Sequence, residues 1–489
     1  MKLPPAPLTE IAMRFVVLQS TVALPFRQAR VGRARQKRLS RGGVLCIVRV
    51  FMQVNVGIIG GGTVGGGVYK ALLRNGPLMA ARLGIRFHVA RVAVRNLKRS
   101  RAVKIPSSIL TDDWKTVTSD PSISIVAELM GGTTTARVVV LEALRAGKPV
   151  VTANKALISA HGQELFAAAK RHGTNLYYEA SVAGGIPIIK VLREGLIGNR
   201  ILSLYGIVNG TCNYILTKMT SERAEFVSAL RDAQANGYAE AEPSLDVDGF
   251  DAAHKTGILA SIAHGVWVKP KQVFVEGIRP IAQLDIQFTE RLGFAIKLLG
   301  IVKTRPHSRR ANANGIQVSV YPALVPKAHV MASVGDVFNA VLVRGDVSGD
   351  TVYCGRGAGA DATASAVLSD LGDAALDLKF GTNGRIPPFV PSEDGSEVLP
   401  MDDVINRYYL RLNVADKPGT LAKIAAILAK SQIGISSVIQ PEGHEGESVP
   451  LILMIHDASN AAMARAIKAI KRLDVVRGNP VMLRVEDFS

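Results

Sequence analysis

Between Gly237 and Lys255 the chain sets five carboxylates, Glu240, Glu242, Asp246, Asp248 and Asp251, ahead of one amine, Lys255, in a stretch bent by Gly237, Pro243 and Gly249. Carboxylates hold ammonium groups, and a positioned amine exchanges protons with a reacting oxygen, so a small zwitterionic substrate suits this stretch. Asp251 and Lys255 are four residues apart. If the Ala-rich run from Phe250 is helical, they share one face, with the amine a turn beyond the acid. An exposed ion pair of that spacing is also ordinary helix decoration, worth about 0.3–0.5 kcal/mol. His254 falls on another face and reads as structural. A second amine, Lys155, follows the apolar run Val150-Val151 and Thr152-Ala153-Asn154, where it is either functional or a solvated loop residue.

These groups need a frame. Residues 54–59, VNVGII, read as a buried strand, and Gly60-Gly61-Gly62-Thr63-Val64-Gly65 leads from it into a helical run. Gly60, Gly62 and Gly65 satisfy G-x-G-x-x-G, in which the missing side chains allow a tight turn, close approach of backbone to a pyrophosphate, and packing of helix on strand. Gly62, Thr63 and Val64 would then offer backbone N–H groups to phosphate at a helix N-terminus; a purely structural glycine turn is the alternative. The second strand, residues 87–94, ends at Arg95-Asn96-Leu97-Lys98-Arg99, with no acid to meet a ribose hydroxyl. NADP is therefore favoured over NAD, with Arg95 on the 2′-phosphate, unless these residues form only a solvated basic loop. Further strands end at Glu128-Leu129-Met130-Gly131-Gly132 and at Lys155, and ligands in open parallel sheets sit at such carboxyl ends.

Farther on, Tyr353 to Val367 contains the glycine turn Gly355-Arg356-Gly357-Ala358-Gly359 opening a helix. A Pro- and acid-rich linker, residues 384–403, precedes a strand near 408–414, a helix at 420–430, strands at 433–440 and 449–455, a helix at 460–472 and a last strand near 482–485. That order is βαββαβ.

The motif of residues 237–255, with Thr152-Ala153-Asn154-Lys155, the segments 177–187 and 207–214, and the turn at 353–367, resembles the homoserine dehydrogenases, over roughly residues 54–370. Two departures are visible: Glu242 stands where Asp is expected before Pro243, and Ala362 where Pro is expected before Thr363. The resemblance implies reversible, NAD(P)H-dependent reduction of L-aspartate 4-semialdehyde to L-homoserine in threonine, methionine and isoleucine biosynthesis. It implies Lys255 as proton donor and acceptor, Lys155 reaching substrate and cofactor, Glu240 on the substrate ammonium, Asp246 and Asp251 on its polar end or orienting Lys255, and Gly237 and Gly357 beside the cofactor. Lysine suits proton transfer if its pKa is lowered, which a neighbouring cation such as Lys155 would do. A monovalent cation such as sodium is implied at Glu179, Val182, Gly184 and Ile186, mostly through carbonyls, with a bare Gly-rich turn as the alternative. The C-terminal βαββαβ order with Asp416-Lys417-Pro418-Gly419-Thr420-Leu421 resembles an ACT domain, implying an amino-acid effector, with threonine expected, or a module that only dimerises. The implied assembly is a homodimer or homotetramer. A non-catalytic sensor binding NADP and an amino acid is the rival reading.

The expected architecture is α/β: a Rossmann-type dinucleotide-binding domain at 52–155, to which the chain returns near 350–375, an α+β substrate and dimerisation domain at 156–349, and an ACT-like domain at 406–489. Of 489 residues 48% are hydrophobic and 5% aromatic, a globular composition. Cys46, Cys212 and Cys354 lie far apart without CxxC spacing, so neither a disulfide framework nor a zinc site is suggested. No apolar run spans a membrane. Of the formal charge of +19, residues 1–51 supply +9 through ten Lys and Arg against Glu10 alone. The remainder shows no basic stripe interleaved with aromatics, so a nucleic-acid partner is not expected. Met52 stands where an enzyme of this kind would begin. Residues 1–51 are thus expected to be dispensable or non-native in a cytoplasmic protein, or else an organellar transit peptide.

Overall fold

The structure, a computed structural model, describes residues 51–306, 314–392, 397–441 and 448–488. The reading of residues 1–50, with Cys46, lies outside the described residues.

Six strands, β1 (Met52–Ile59), β2 (Ile85–Ala93), β3 (Leu110–Thr111), β4 (Ile125–Glu128), β5 (Val150–Thr152) and β6 (Leu176–Tyr177), form a parallel sheet in the order β3-β2-β1-β4-β5-β6. This is the doubly wound dinucleotide-binding order. Side chains alternate across β1: Val54, Val56 and Ile58 face the helices Thr63–Leu83 and Ala360–Phe380, and Ile59 faces the cluster built on the helices Thr134–Arg145 and Lys155–Arg171. Burial on both faces is why the run reads as continuously apolar. The strands begin two residues earlier than the apolar pattern suggests, because Met52 and Gln53 pair with Ile85 and Arg86 through backbone alone. Although remote in sequence, the Ala360–Phe380 helix packs on the Thr63–Leu83 helix, and Gly67 permits it: a Cβ there would stand 3.0 Å from the Ala360 carbonyl oxygen.

The second sheet is mixed and has ten strands: β7 (Ile201–Ile207), β8 (Phe274–Val275), β9 (Phe294–Pro306), β10 (Asn314–Pro326), β11 (Phe338–Gly345), β12 (Gly349–Arg356), β13 (Ile405–Ala415), β14 (Ile435–Ile439), β15 (Ser448–Ser459) and β16 (Val476–Val485). Its order is β12-β11-β7-β9-β10-β16-β13-β15-β14, with β8 beside β10. The C-terminal order β13, helix Thr420–Lys430, β14, β15, helix Asn460–Ile470, β16 matches the expected βαββαβ succession.

Its separation from the body by a linker does not hold. Strand β16 pairs in parallel with β10, Ala323 opposite Arg484 and Leu324 opposite Val485, so one sheet runs through both parts. One face of the C-terminal strands packs under its own helices through Tyr408, Leu410 and Leu412, while Tyr409, Ile452, Met454 and Leu483 join the core of the body. Three ion pairs cross the seam: Arg411 with Asp285 and Lys303 with Glu486, buried at both partners, and the buried Arg484 with the half-exposed Glu276. Residues 384–392 and 397–403 form a strap. Arg193 donates to the carbonyls of Ile386 and Pro387 at 2.9 Å, Phe389 packs on Phe166 and Trp267, and Ile316 donates its N–H to the Glu397 carbonyl and accepts from Leu399 N–H, each at 2.9 Å. Prolines lack N–H groups, so such a strap lies flat and offers carbonyls as acceptors; composition alone makes it look solvated.

Candidate active site

Gly249, at φ +88°, turns the chain into the helix Phe250–His264, whose first turn carries Asp251 and whose second carries Lys255. Both are buried, at 4% and 8% exposure. The Lys255 ammonium donates to Asp251 Oδ2 and to the Val208 carbonyl, each at 2.7 Å. Lysine has three donors, so one remains for a substrate oxygen. Asn154 caps the helix Lys155–Arg171 by accepting from the Leu157 N–H at 3.1 Å, and this fixes Lys155 at the carboxyl end of β5. Lys155 Nζ lies 2.8 Å from Asp251 Oδ1.

Asp251 therefore bridges two amines. Burial alone would raise its pKa, but the Lys255 and Lys155 ammoniums outweigh that and hold the carboxyl well below the usual range. Burial opposes charge on Lys155 too, yet Asp251 keeps its pKa raised. The expected arrangement, one cation set directly against the other, is corrected by this intervening anion. Asn209 completes the group. Its Nδ2 donates to Asp246 Oδ1 at 2.7 Å and to Asp251 Oδ2 at 2.9 Å, and its Oδ1 accepts from Cys212 N–H at 2.8 Å, capping the helix Gly210–Ser221. The Asp246 pKa is raised, first by burial.

The five carboxylates separate by environment. Asp246 and Asp251 point inward and Glu240 is exposed at the rim. Glu242 instead accepts from the Ser244 backbone N–H at 3.2 Å and from its hydroxyl, and Asp248 is gripped by Arg279. These two shape the loop. His254 is half-buried and its pKa is lowered by burial, in keeping with a structural role. Asn209 and the Val208 carbonyl are the components that residue types had not singled out; the available signal was an Asn before Gly210-Thr211, a helix-capping pattern.

At the same carboxyl end of the sheet, Gly60 has φ +110°, and Cβ atoms on Gly60 and Gly65 would stand 2.4 Å from the Leu129 oxygen and 1.8 Å from the Gly60 oxygen. Gly62 meets nothing within 4 Å. Gly62 and Thr63 are exposed and Val64 half-buried at the start of the Thr63–Leu83 helix, an open N-terminus suited to phosphate. Arg95 is exposed just past β2. Beside it, Arg101 folds back to donate to the carbonyls of Asn96, Leu97 and Arg99, a loop-shaping role that the basic run did not reveal. Glu128, buried at the end of β4, accepts from Thr152 Oγ1 at 2.6 Å and from Met130 N–H at 2.9 Å, tying together two strand ends.

Gly237, at φ +72°, is exposed and ends the Phe226–Ala235 helix. Gly357 lies where a Cβ would stand 1.9 Å from Asn339 Nδ2, and a Cβ on Gly184 would be 2.6 Å from the Gly357 oxygen, so these two turns pack backbone to backbone. The Glu179 carboxylate accepts from the N–H groups of Ile189 and Lys190 at 2.9 and 2.8 Å; burial pushes its pKa up to about 7. Ala183 and Gly184 have positive φ, and the Ile186 carbonyl accepts from Ile188 N–H. Glu179 and the carbonyls of Val182, Gly184 and Ile186 are hard oxygen donors, the type that suits an alkali cation.

A family model described as homoserine dehydrogenase matches residues 187–371, and one described as homoserine dehydrogenase, NAD binding domain matches residues 60–179. The homoserine dehydrogenase of Pseudomonas aeruginosa is 42% identical over 440 residues, covering 89% of this chain and 99% of that protein. The crystal structure of a homoserine dehydrogenase from Thiobacillus denitrificans superposes with a TM-score of 0.83 at 43% identity, covering 90% of this chain and 99% of that one. A hyperthermophilic archaeal homoserine dehydrogenase in complex with NADPH matches at 26% identity and a TM-score of 0.56, over 67% of this chain and 98% of its own.

Proposed function

The chain belongs to the homoserine dehydrogenase family, an NAD(P)-dependent oxidoreductase family, and from that premise we propose how its own residues perform the reaction. The non-catalytic sensor reading finds no support in relatives that match almost end to end and are dehydrogenases. One observation supports the assignment of roles: Asp251 bridges Lys155, at the carboxyl end of the parallel sheet where dinucleotides lie in such folds, to Lys255, in the Phe250–His264 helix, which favours Lys255 as the proton-transferring amine.

The bound nicotinamide supplies hydride in reduction and accepts it in oxidation. Lys255 aims its remaining N–H at the aldehyde oxygen, donates a proton as negative charge builds there, and takes one from the alcohol in the reverse direction. Asp251, held by Asn209, fixes the amine. Asp246 and Lys155 hold the polar end of the substrate, and Glu240 at the rim takes its ammonium. Consumption of NADPH by the purified protein with L-aspartate 4-semialdehyde tests this reading. Absence of turnover with cofactor binding retained sinks it.

The finer assignments are part of the same reading. NADP is preferred, through Arg95 on the 2′-phosphate, with NAD also accepted. Gly237 and Gly357 lie against the cofactor. A monovalent cation such as sodium is held by Glu179, Val182, Gly184 and Ile186. The assembly is a homodimer or homotetramer. Among the described residues no helix is long and apolar enough to cross a membrane, and a cytoplasmic location fits bacterial relatives. The C-terminal module is ACT-like and takes threonine as effector, with the Gly419 turn and the N-terminus of the Thr420–Lys430 helix as the docking point. Removal of residues 400–489 is not a clean test, because it strips β16 from β10 and leaves Asp285 and Lys303 as unpaired buried charges, each costing about 3–5 kcal/mol. Substitution of Asp416 is the better one. Threonine inhibition that persists unchanged in Asp416→Ala would place the effector elsewhere.

A further inference from the structure

Arg484, in the last strand, is 1% exposed, far more deeply buried than a charged residue ordinarily is. Its guanidinium donates to Glu276 Oε2 and Oε1 at 2.5 and 3.2 Å and to Asn460 Oδ1 at 2.7 Å. It lies over the rings of Phe274, Tyr321 and Tyr408 at 5.1, 4.6 and 6.0 Å. Such a fork, clamped by three rings, fixes the position of its partner carboxylate rather than simply neutralising it.

The partner belongs to a segment pressed against the substrate loop. Glu276 N–H donates to Val320 O at 2.8 Å, and the residues that follow wrap the chain between Asp246 and Asp251. A Cβ on Gly277 would stand 2.3 Å from the Val247 oxygen and 2.5 Å from Asp248 Cα, so no gap separates the two backbones. Ile278 N–H donates to Val247 O at 2.9 Å, and Arg279 holds the Asp248 carboxylate. Gly249, the N-cap of the helix bearing Asp251 and Lys255, sits where a Cβ would be 3.0 Å from Val275 Cγ1 and 3.3 Å from the Glu276 oxygen. A shift of Glu276 is therefore a shift of the Val247–Gly249 turn, and of the two carboxylates flanking it.

We propose that Arg484 is a positioning residue for the reaction: through Glu276 it sets the 275–279 segment, and thereby where Asp246 and Asp251 stand. The proposal rests on the reading of those carboxylates and Lys255 as substrate-handling groups. Of the other ion pairs across the same seam, Arg411 with Asp285 is the natural control. Asp285 spends its oxygens on Arg411, Tyr409 and the Ala282 N–H, within the Gln283–Arg291 helix.

The test compares Glu276→Gln, Glu276→Asp, Arg484→Lys and Asp285→Asn in the full-length protein, reading kcat and KM for L-homoserine, KM for NADP, and Tm. Glu276→Gln should lower kcat/KM for homoserine about tenfold or more with KM for NADP within about twofold, since small misplacements of catalytic groups are costly. Glu276→Asp, which keeps the charge, should recover most of that loss. Asp285→Asn should lower Tm while leaving the kinetic constants near those of the unmutated protein. If Arg484→Lys does not fold, the half-exposed Glu276 variants still decide. A folded Glu276→Gln with unaltered homoserine kinetics overturns the proposal, as does an Asp285→Asn variant showing the same substrate-selective loss. An unmutated protein inactive on homoserine would instead sink the reading of the site itself.

Discussion

The glycine turn after β1 and the lysine–carboxylate centre are built from opposite materials. At the turn, Gly60, Gly62, Thr63, Val64 and Gly65 present backbone, and most of what matters is the absence of side chains. At the centre, Lys155, Asn209, Asp246, Asp251 and Lys255 come from separate elements and bring buried charge together. A backbone site is local and fails by steric intrusion. A side-chain site is assembled by the tertiary fold and fails by loss of one charge or one proton.

The sharpest way to break the comparison is Lys255→Ala. Asp251 keeps Lys155 as a partner, so the fold should survive, while turnover should fall by about 10²–10⁴ for loss of a general acid–base. NADP affinity should stay near that of the unmutated protein, because the amine does not meet phosphate. Steady-state kinetics with a separate cofactor titration check this, and near-normal turnover would end the mechanism.

The same contrast governs what could be read from sequence. The glycine pattern, its strand and its helix are contiguous, so the parallel sheet and the cofactor end follow from neighbours in the chain. The i,i+4 pair Asp251 and Lys255 is likewise local. Asn209 bonding to both Asp246 and Asp251, and Asp251 standing between two amines, are meetings of distant segments that no local spacing encodes. The strap at 384–392 and 397–403 and the shared sheet of β10 and β16 were hidden for the same reason: composition describes solvation, not which groove a segment lies in.

Within the turn, two glycines should behave differently. Gly65→Ala drives a Cβ to 1.8 Å from the Gly60 oxygen and should lower stability by at least about 1–3 kcal/mol, read as a fall in Tm. Gly62→Ala meets nothing within 4 Å and should leave Tm unchanged while weakening cofactor binding, since the methyl stands where pyrophosphate approaches. Equal Tm losses would mean that Gly62 is a packing glycine, not a binding one.

A comparable effect, confined to one cofactor, is expected where the backbone site borrows a side chain. Arg95→Ala should weaken NADP by about 1.5–3 kcal/mol, the worth of a charge-assisted contact to phosphate, and leave NAD nearly unaffected. Competition titrations with both cofactors decide it. Parallel losses would return Arg95 to the solvated loop.

The smallest effect should come from deleting residues 1–51. The Pseudomonas aeruginosa match leaves about a tenth of this chain unaligned, and β1 begins at Met52, whose N–H already donates to the Gly84 carbonyl at 3.3 Å. Its core residues start at Val54. A chain starting at Met52 gives up the contact of Arg86 with the Phe51 ring, at 4.8 Å, which at an exposed site is worth about 0.5–1 kcal/mol. The glycine turn and the lysine centre are built from residues 60 onward, and a relative of this family is matched over 99% of its length by 89% of this chain, so kcat, both KM values and NADP affinity should all remain within about twofold of the full chain, an energy below about 0.5 kcal/mol. N-terminal sequencing from the native cell should find a start at or just beyond Met52. A mature protein that retains Arg27 to Arg41, or a Met52 protein that fails to fold, would make the basic segment part of the structure and add a third material to the comparison.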